Sequence, residues 1–148
     1  MAEFLEFTVD KFTFRVATDR WYHEAGIWAK REGLHVKIGL SDYLQQRSGD
    51  VAFAEIKPAG TLLSQGEEVA VIETIKVNIS LPSPVSGRVI AVNQAMSTTP
   101  EIINQDPYED GWIAIIQVSD FPVQMKRLLD ARTYYEKIKR EVEQETKK

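Results

Sequence analysis

Few side chains in this sequence could carry chemistry, and the one best placed to do so is Lys76. It sits in Glu73-Thr74-Ile75-Lys76-Val77-Asn78, with Val69-Ala70-Val71-Ile72 before it and Val77-Asn78-Ile79-Ser80-Leu81 after it. Both flanks alternate and are rich in β-branched residues, which predicts two strands joined by a hairpin. A primary amine is then held out on a hairpin tip. An isolated lysine on a turn is ordinarily only solvated; ordered strands on both sides give this one a fixed address. Gly60 precedes it and Gly87 follows it. Together they predict the positive-φ turns that a tightly wound β module needs, and so a role in shaping the hairpin.

The other candidates fall away. The chain has no cysteine, so disulfides, thiolate nucleophiles and Cys-based metal sites are excluded together. His23 and His35 stand alone, without a metal-ligand spacing such as His-x-x-x-His. Glu55 and Asp42 form no catalytic constellation with them, and no Gly-rich loop could cradle a phosphate. With no nucleophile, acid–base pair or metal site, the chain is not expected to be an enzyme. Trp21, Trp28 and Trp112 are expected in the core or in the wall of a cleft.

The elements that must position Lys76 follow from periodicity. Phe12-Thr13-Phe14-Arg15-Val16 alternates and predicts a strand or covering segment within residues 1–20. Leu34 to Leu40 alternates cleanly, and Ser41 is an N-cap candidate for a short helix ending before Gly49. Val51 to Ile56 and Gly87 to Val92 predict two further strands, and Gly111 to Val118 predicts the last. Thr99-Pro100-Glu101 predicts a short helix with Thr99 as its cap and Pro100 at its first position. From about Pro122, Met125, Leu128, Leu129, Tyr135, Ile138 and Val142 recur at helical steps, giving an amphipathic helix with a charged, fraying end. Many short strands with turn signals argue a mainly β, α+β architecture with peripheral helices. The expected division is an extension over 1–20, a carrier domain over 21–120 and a terminal helix over 121–148.

At 148 residues the chain is one domain in size. A net charge of −4 and a pI of about 5.3 argue against nucleic acid or an anionic membrane surface as partner. The first residues carry acids and no long apolar run, and no stretch approaches a membrane span. A cytoplasmic, monomeric protein is expected.

The residues around Lys76 resemble the lipoyl-carrier (barrel-sandwich hybrid) fold, in which two antiparallel sheets present a lysine that is acylated by lipoate. A biotin carrier would place methionines beside the lysine; here stand Ile75 and Val77. More specifically, the chain is similar to the H-protein family of the glycine cleavage system. The likeness is carried by Ile38-Gly39-Leu40-Ser41-Asp42-Tyr43, Gly49-Asp50-Val51-Ala52-Phe53-Ala54-Glu55, Glu73-Thr74-Ile75-Lys76-Val77, Ser83-Pro84-Val85-Ser86-Gly87 and Asn104-Gln105-Asp106-Pro107-Tyr108-Glu109-Asp110-Gly111-Trp112. It implies lipoate on Lys76 and recognition of Glu73 by a lipoate-attaching enzyme. The absence of cysteine has a plain account, simple scarcity in a cytosolic or thermophilic protein, which outweighs the sharper one that a dithiol-bearing arm avoids thiols that would trap it by exchange.

Two departures bear on cargo. Aligned on Tyr22 and Trp28, the family's His-Glu-Trp triplet reads Gly26-Ile27-Trp28, so isoleucine replaces the acid. Four residues after the lysine, where the family carries aspartate, stands Ser80. In the family these acids are associated with docking an aminomethylated arm, and an ammonium buried without such partners is costly. Ile27 and Ser80 are therefore cargo-cleft candidates. The pattern resembles the H-protein-like lipoate-binding proteins of sulfur-oxidising prokaryotes. That resemblance implies a shuttle of sulfur intermediates to a heterodisulfide-reductase-like complex. The alternative is a glycine-cleavage carrier that passes an aminomethyl group among decarboxylase, aminomethyltransferase and dihydrolipoyl dehydrogenase.

Overall fold

The computed structural model describes residues 3–146. The chain opens with a hairpin, β1 (Phe4–Val9) and β2 (Phe12–Ala17), which forms a two-stranded sheet of its own. Next come β3 (Trp21–Tyr22), β4 (Ile27–Glu32), β5 (His35–Leu40), α1 (Asp42–Ser48), β6 (Val51–Ile56), β7 (Leu62–Leu63), β8 (Glu68–Thr74), β9 (Asn78–Pro82) and β10 (Gly87–Val92). The rest is α2 (Ala95–Thr98), α3 (Ile102–Gln105), β11 (Ala114–Gln117), α4 (Phe121–Gln124) and α5 (Ala131–Thr146). The two expected antiparallel sheets are present: a six-stranded one ordered β3-β4-β5-β11-β10-β7 and a three-stranded one ordered β6-β8-β9. The N-terminal hairpin is a third.

Alternation decides what each strand buries. On β5, Val36, Ile38 and Leu40 face inward, and on β8 Ala70 and Ile72 do, with Val69 buried beside them where the β8–β9 register shifts between Glu68 and Ala70. They meet in an aliphatic core with Ile27, Leu81, Val85, Val89, Ile113 and Ile116. A second core is aromatic: Phe7, Phe14, Tyr22, Trp28, Tyr108, Tyr134 and Tyr135 join Val16, Ile138 and Val142. It fastens the N-terminal hairpin and α5 to the body. Tyr22 stacks on Tyr134 with ring centroids 4.4 Å apart, and Phe7 meets Tyr135 edge-on at 5.6 Å. Buried phenols find partners, as they must: Tyr22 donates to the Ala17 carbonyl at 2.7 Å and Tyr108 to that of Arg15 at 2.7 Å. Burial pushes the Tyr108 hydroxyl up to about 12. Trp28 is fully buried, whereas Trp21 and Trp112 are half-buried.

Two expected elements change. The helix read from Pro122 is broken into α4, a 3-10 turn over Met125–Arg127 and then α5. Leu128 is extended, and Leu129 exchanges backbone hydrogen bonds with Tyr22 at 2.7 and 2.8 Å. Met125, Leu128 and Leu129 thus mimic a helical period because they cover the body edge, not because they share one helix. Asp130 then caps α5, its Oδ1 accepting from the Thr133 N–H at 2.8 Å. Thr99 does not cap the helix after it. It is the C-cap of α2, donating its N–H to Ala95, and α3 begins only at Ile102.

Candidate functional site

Lys76 lies at the tip of the β8–β9 hairpin, whose rungs run from Glu68↔Pro82 up to Glu73↔Asn78. Thr74 closes the tip. Its N–H donates to the Val77 carbonyl at 2.8 Å, and its Oγ1 accepts the N–H groups of Lys76 and Val77 at 3.1 and 3.0 Å. The same hydroxyl donates to the Ser48 carbonyl at 2.6 Å, while the Ile75 N–H donates to Asp50 at 3.0 Å. The tip is therefore braced against the end of α1 and the start of β6. Ile75 and Val77 stay exposed beside the lysine.

The lysine stem is aimed. Gly49, at φ +92°, sits under it: a Cβ there would lie 2.9 Å from Lys76 Cδ. From that point Lys76 Nζ donates to the Arg47 carbonyl at 3.3 Å. Beside it opens a groove of about 440 Å³ between the β1–β2 turn, α1 and α5. Arg47 and Glu145 form a two-point ion pair across it, and Glu145 holds the guanidinium's pKa above its ordinary value. Lys76 is exposed, so its amine can reach an acylating enzyme and its stem has a fixed bed. That arrangement fits a lipoyl group on Nζ.

The other expected site residues do not converge on it. Gly60 has the predicted positive φ, +97°, but it donates to Val89, away from the lysine hairpin. Gly87 is not in the left-handed region. It pairs with Leu63 at a close approach, where a Cβ would meet the Gln117 carbonyl oxygen at 2.1 Å. Both glycines shape the β7–β10–β11 end of the large sheet and not the hairpin. Glu73 is exposed on β8, opposite Phe53, over the outer face of the small sheet. Ile27 is fully buried in the aliphatic core opposite Leu40, because its strand position faces inward. It is no cleft wall. Ser80 is exposed and donates to Glu68 Oε2 at 2.6 Å, with Lys57 3.8 Å from the same carboxylate. Neither Ile27 nor Ser80 lines the groove beside Lys76. Sequence reasoning passed over Thr74, Arg47, Gly49 and Phe12. Gly49 is legible as the stop of α1, and Thr74 lies inside the motif around the lysine, but neither has a role assigned from the sequence.

His23 turns its Nδ1 to the Ala25 N–H at 3.0 Å, and burial lowers its pKa. No group of three or more metal-ligating side chains occurs among the described residues. None of their helices is long and apolar enough to cross a membrane.

A lysine braced on the tip of a small sheet, backed by a second antiparallel sheet, is the arrangement of a lipoyl-carrier fold. The family model for glycine cleavage H-protein matches residues 20–141, and the chain belongs to that family. It is 39% identical to the glycine cleavage system H protein of a Thermus thermophilus strain over 126 residues, covering 85% of this chain and 98% of that one. It is 40% identical to that of an Anaeromyxobacter species over 119 residues, covering 80% and 92%. Glycine cleavage system H protein 4 of Aquifex aeolicus is 35% identical over 132 residues, covering 89% and 77%. The crystal structure of a glycine cleavage system H protein from Mycobacterium marinum superposes with a TM-score of 0.71 at 28% identity, covering 81% of this chain and 96% of that one.

Proposed function

We propose that the protein carries lipoate on Lys76 and passes an aminomethyl group among glycine cleavage enzymes: the decarboxylase, the aminomethyltransferase and dihydrolipoyl dehydrogenase. The observation that carries this reading is the braced, exposed lysine of an H-protein-family hairpin. Lipoate joined to Nζ as an amide supplies a dithiolane able to hold cargo and electrons. The chain does the positioning. Thr74 fixes the tip, Gly49 clears the stem, and the arm's tether keeps its end at high local concentration near a docked partner. Glu73, exposed on the strand that leads into the lysine turn, serves recognition by the lipoate-attaching enzyme. A cytoplasmic monomer suits a shuttle that must reach several active sites.

A second reading, delivery of sulfur intermediates to a heterodisulfide-reductase-like complex, rests on the missing acids at Ile27 and Ser80. Its physical basis is narrowed by three carboxylates. Glu68 stands beside Ser80, and Asp10 and Glu145 line the groove at Lys76, so carboxylates are within the site's surroundings. Loading from labelled glycine separates the readings. With lipoyl-Lys76 protein and glycine decarboxylase, lysine-dependent incorporation is expected. No loading, where a standard H protein loads, would favour sulfur cargo.

A further inference from the structure

We propose that Asn104 is a positioning residue for the acylation of Lys76. Its side-chain amide holds the α1–β6 turn in the shape that aims the lysine tip. The inference rests on the reading that Lys76 is lipoylated, and it gives a role to a residue of α3 far from the lysine in sequence.

One short stretch holds the tip from outside. The Arg47 carbonyl accepts from Lys76 Nζ, the Ser48 carbonyl from Thr74 Oγ1 and the Asp50 carbonyl from the Ile75 N–H. Gly49 lies under the lysine stem. Whatever fixes this stretch decides how sharply the tip is aimed. Gly49 is its weak point, because a glycine at φ +92° has many other conformations open to it.

Asn104 grips both sides of Asp50. Its Oδ1 accepts the Val51 N–H at 2.8 Å, and its Nδ2 donates to the Gly49 carbonyl at 3.1 Å. Peptide geometry carries the grip across the chain. In a planar trans peptide the C=O and the N–H point in opposite directions. With the Val51 N–H drawn to Asn104, the Asp50 carbonyl of the same peptide points away from it, onto the Ile75 N–H at 3.0 Å. One side chain thus sets both peptides that meet at Asp50.

The direction of the grip is set further back. A carboxylate only accepts, so Asp42 Oδ1 takes Gln45 Nε2 at 2.8 Å. That leaves Gln45 Oε1 to accept from Asn104 Nδ2 at 3.0 Å, which fixes the donor end of the Asn104 amide. Gln45 is buried, and its amide is paired at both ends within the protein. An asparagine that only filled space would need none of this order.

The test uses the full unmodified chain with a lipoate-attaching enzyme, lipoate and ATP, and follows Lys76 by peptide mass. Native protein is compared with Asn104→Ala, Asn104→Asp and Val89→Ala, the last a truncation in the aliphatic core on β10. A loosened tip must be ordered anew when the enzyme binds it. Asn104→Ala is therefore expected to raise KM for the protein substrate about tenfold, the factor for one net hydrogen bond, with kcat unchanged. Asn104→Asp keeps an acceptor for the Val51 N–H and should recover most of that loss. Val89→Ala should lower stability and leave KM alone.

Amide exchange gives a readout that general destabilisation does not. The Ile75 amide should exchange about tenfold faster in Asn104→Ala, while Ile72 and Ile79 on the hairpin rung keep their native rates. In native protein, Val51 and Ile75 should show comparable protection, because one peptide holds both. Unchanged KM and Ile75 exchange in folded Asn104→Ala would overturn the proposal. So would an equal rise in KM in Val89→Ala, or a native Val51 amide that is protected while Ile75 exchanges freely. A native chain that is never acylated would instead overturn the carrier reading on which the proposal rests.

Discussion

Two of the molecule's antiparallel hairpins are built on opposite plans. The lysine hairpin, β8–β9, buries short aliphatic side chains, Val69, Ala70, Ile72 and Leu81, in the main core and leaves its tip in solvent. The N-terminal hairpin, β1–β2, buries rings: Phe7 and Phe14 pack against Tyr135 and Tyr43. The first lies inside the family match and the second outside it. The contrast separates two jobs. Aliphatic packing along β8–β9 fixes the register of a strand pair, so the tip can be exposed without wandering. Aromatic packing under β1–β2 ties an added segment to α1 and α5, through large rings and directed bonds such as Tyr135 to the Glu6 carbonyl at 3.2 Å. Stability of the additions and presentation of the lysine should therefore be separable by mutation.

Phe14→Ala should break that separation from the stability side and have the largest effect. Phe14 is 4% exposed in the aromatic core, and truncating it should cost about 3–5 kcal/mol. Denaturant unfolding would measure this, while acylation of Lys76 in the folded protein should persist. A loss of acylation in folded protein would show that the two hairpins are coupled.

Gly49→Ala attacks from the other side. Its backbone, φ +92° and ψ −173°, suits glycine almost alone, and a new Cβ would press on the Lys76 stem. A cost of about 1–3 kcal/mol is expected, with slower enzymatic lipoylation, read by mass against time. Thr74→Val should follow, at about 1–2 kcal/mol, because the Lys76 and Val77 N–H groups and the Ser48 carbonyl lose their shared hydroxyl. Its mark is faster amide exchange confined to the tip.

The smallest effect sharpens the account of α5. Asp130→Ala should cost about 1 kcal/mol by uncapping the helix. Hydrogen bonds from Thr133, backbone first, hold the Asp130 carboxyl below its ordinary 3.8. The carboxylate form is thus favoured in the folded state, so its contribution is present above pH 3.8 and is lost as pH falls further through the lowered value. The difference in unfolding free energy between native and Asp130→Ala protein should close under those acid conditions.

Much of the body is legible in the sequence, for local reasons. β5, β6, β8 and β10 announce themselves by alternation, and α1 by Ser41, whose Oγ does accept from the Leu44 N–H at 3.2 Å. The lysine hairpin is legible because its two strands and turn are contiguous. What stays hidden depends on pairing at a distance. Leu129 is held extended by Tyr22, so no helical period could reveal where α5 begins. Ile27 reads as a substituted cleft acid in alignment, but strand geometry turns it into the core. The groove is assembled from residues near both ends of the chain around Arg47, and no motif spans it.

The most direct measurement is peptide mass mapping after incubation with a lipoate-attaching enzyme, lipoate and ATP, for native protein and Lys76→Arg. The account predicts a single lipoyl adduct, on Lys76, absent from Lys76→Arg. An unmodified chain, or an adduct on another lysine that survives in Lys76→Arg, would contradict it.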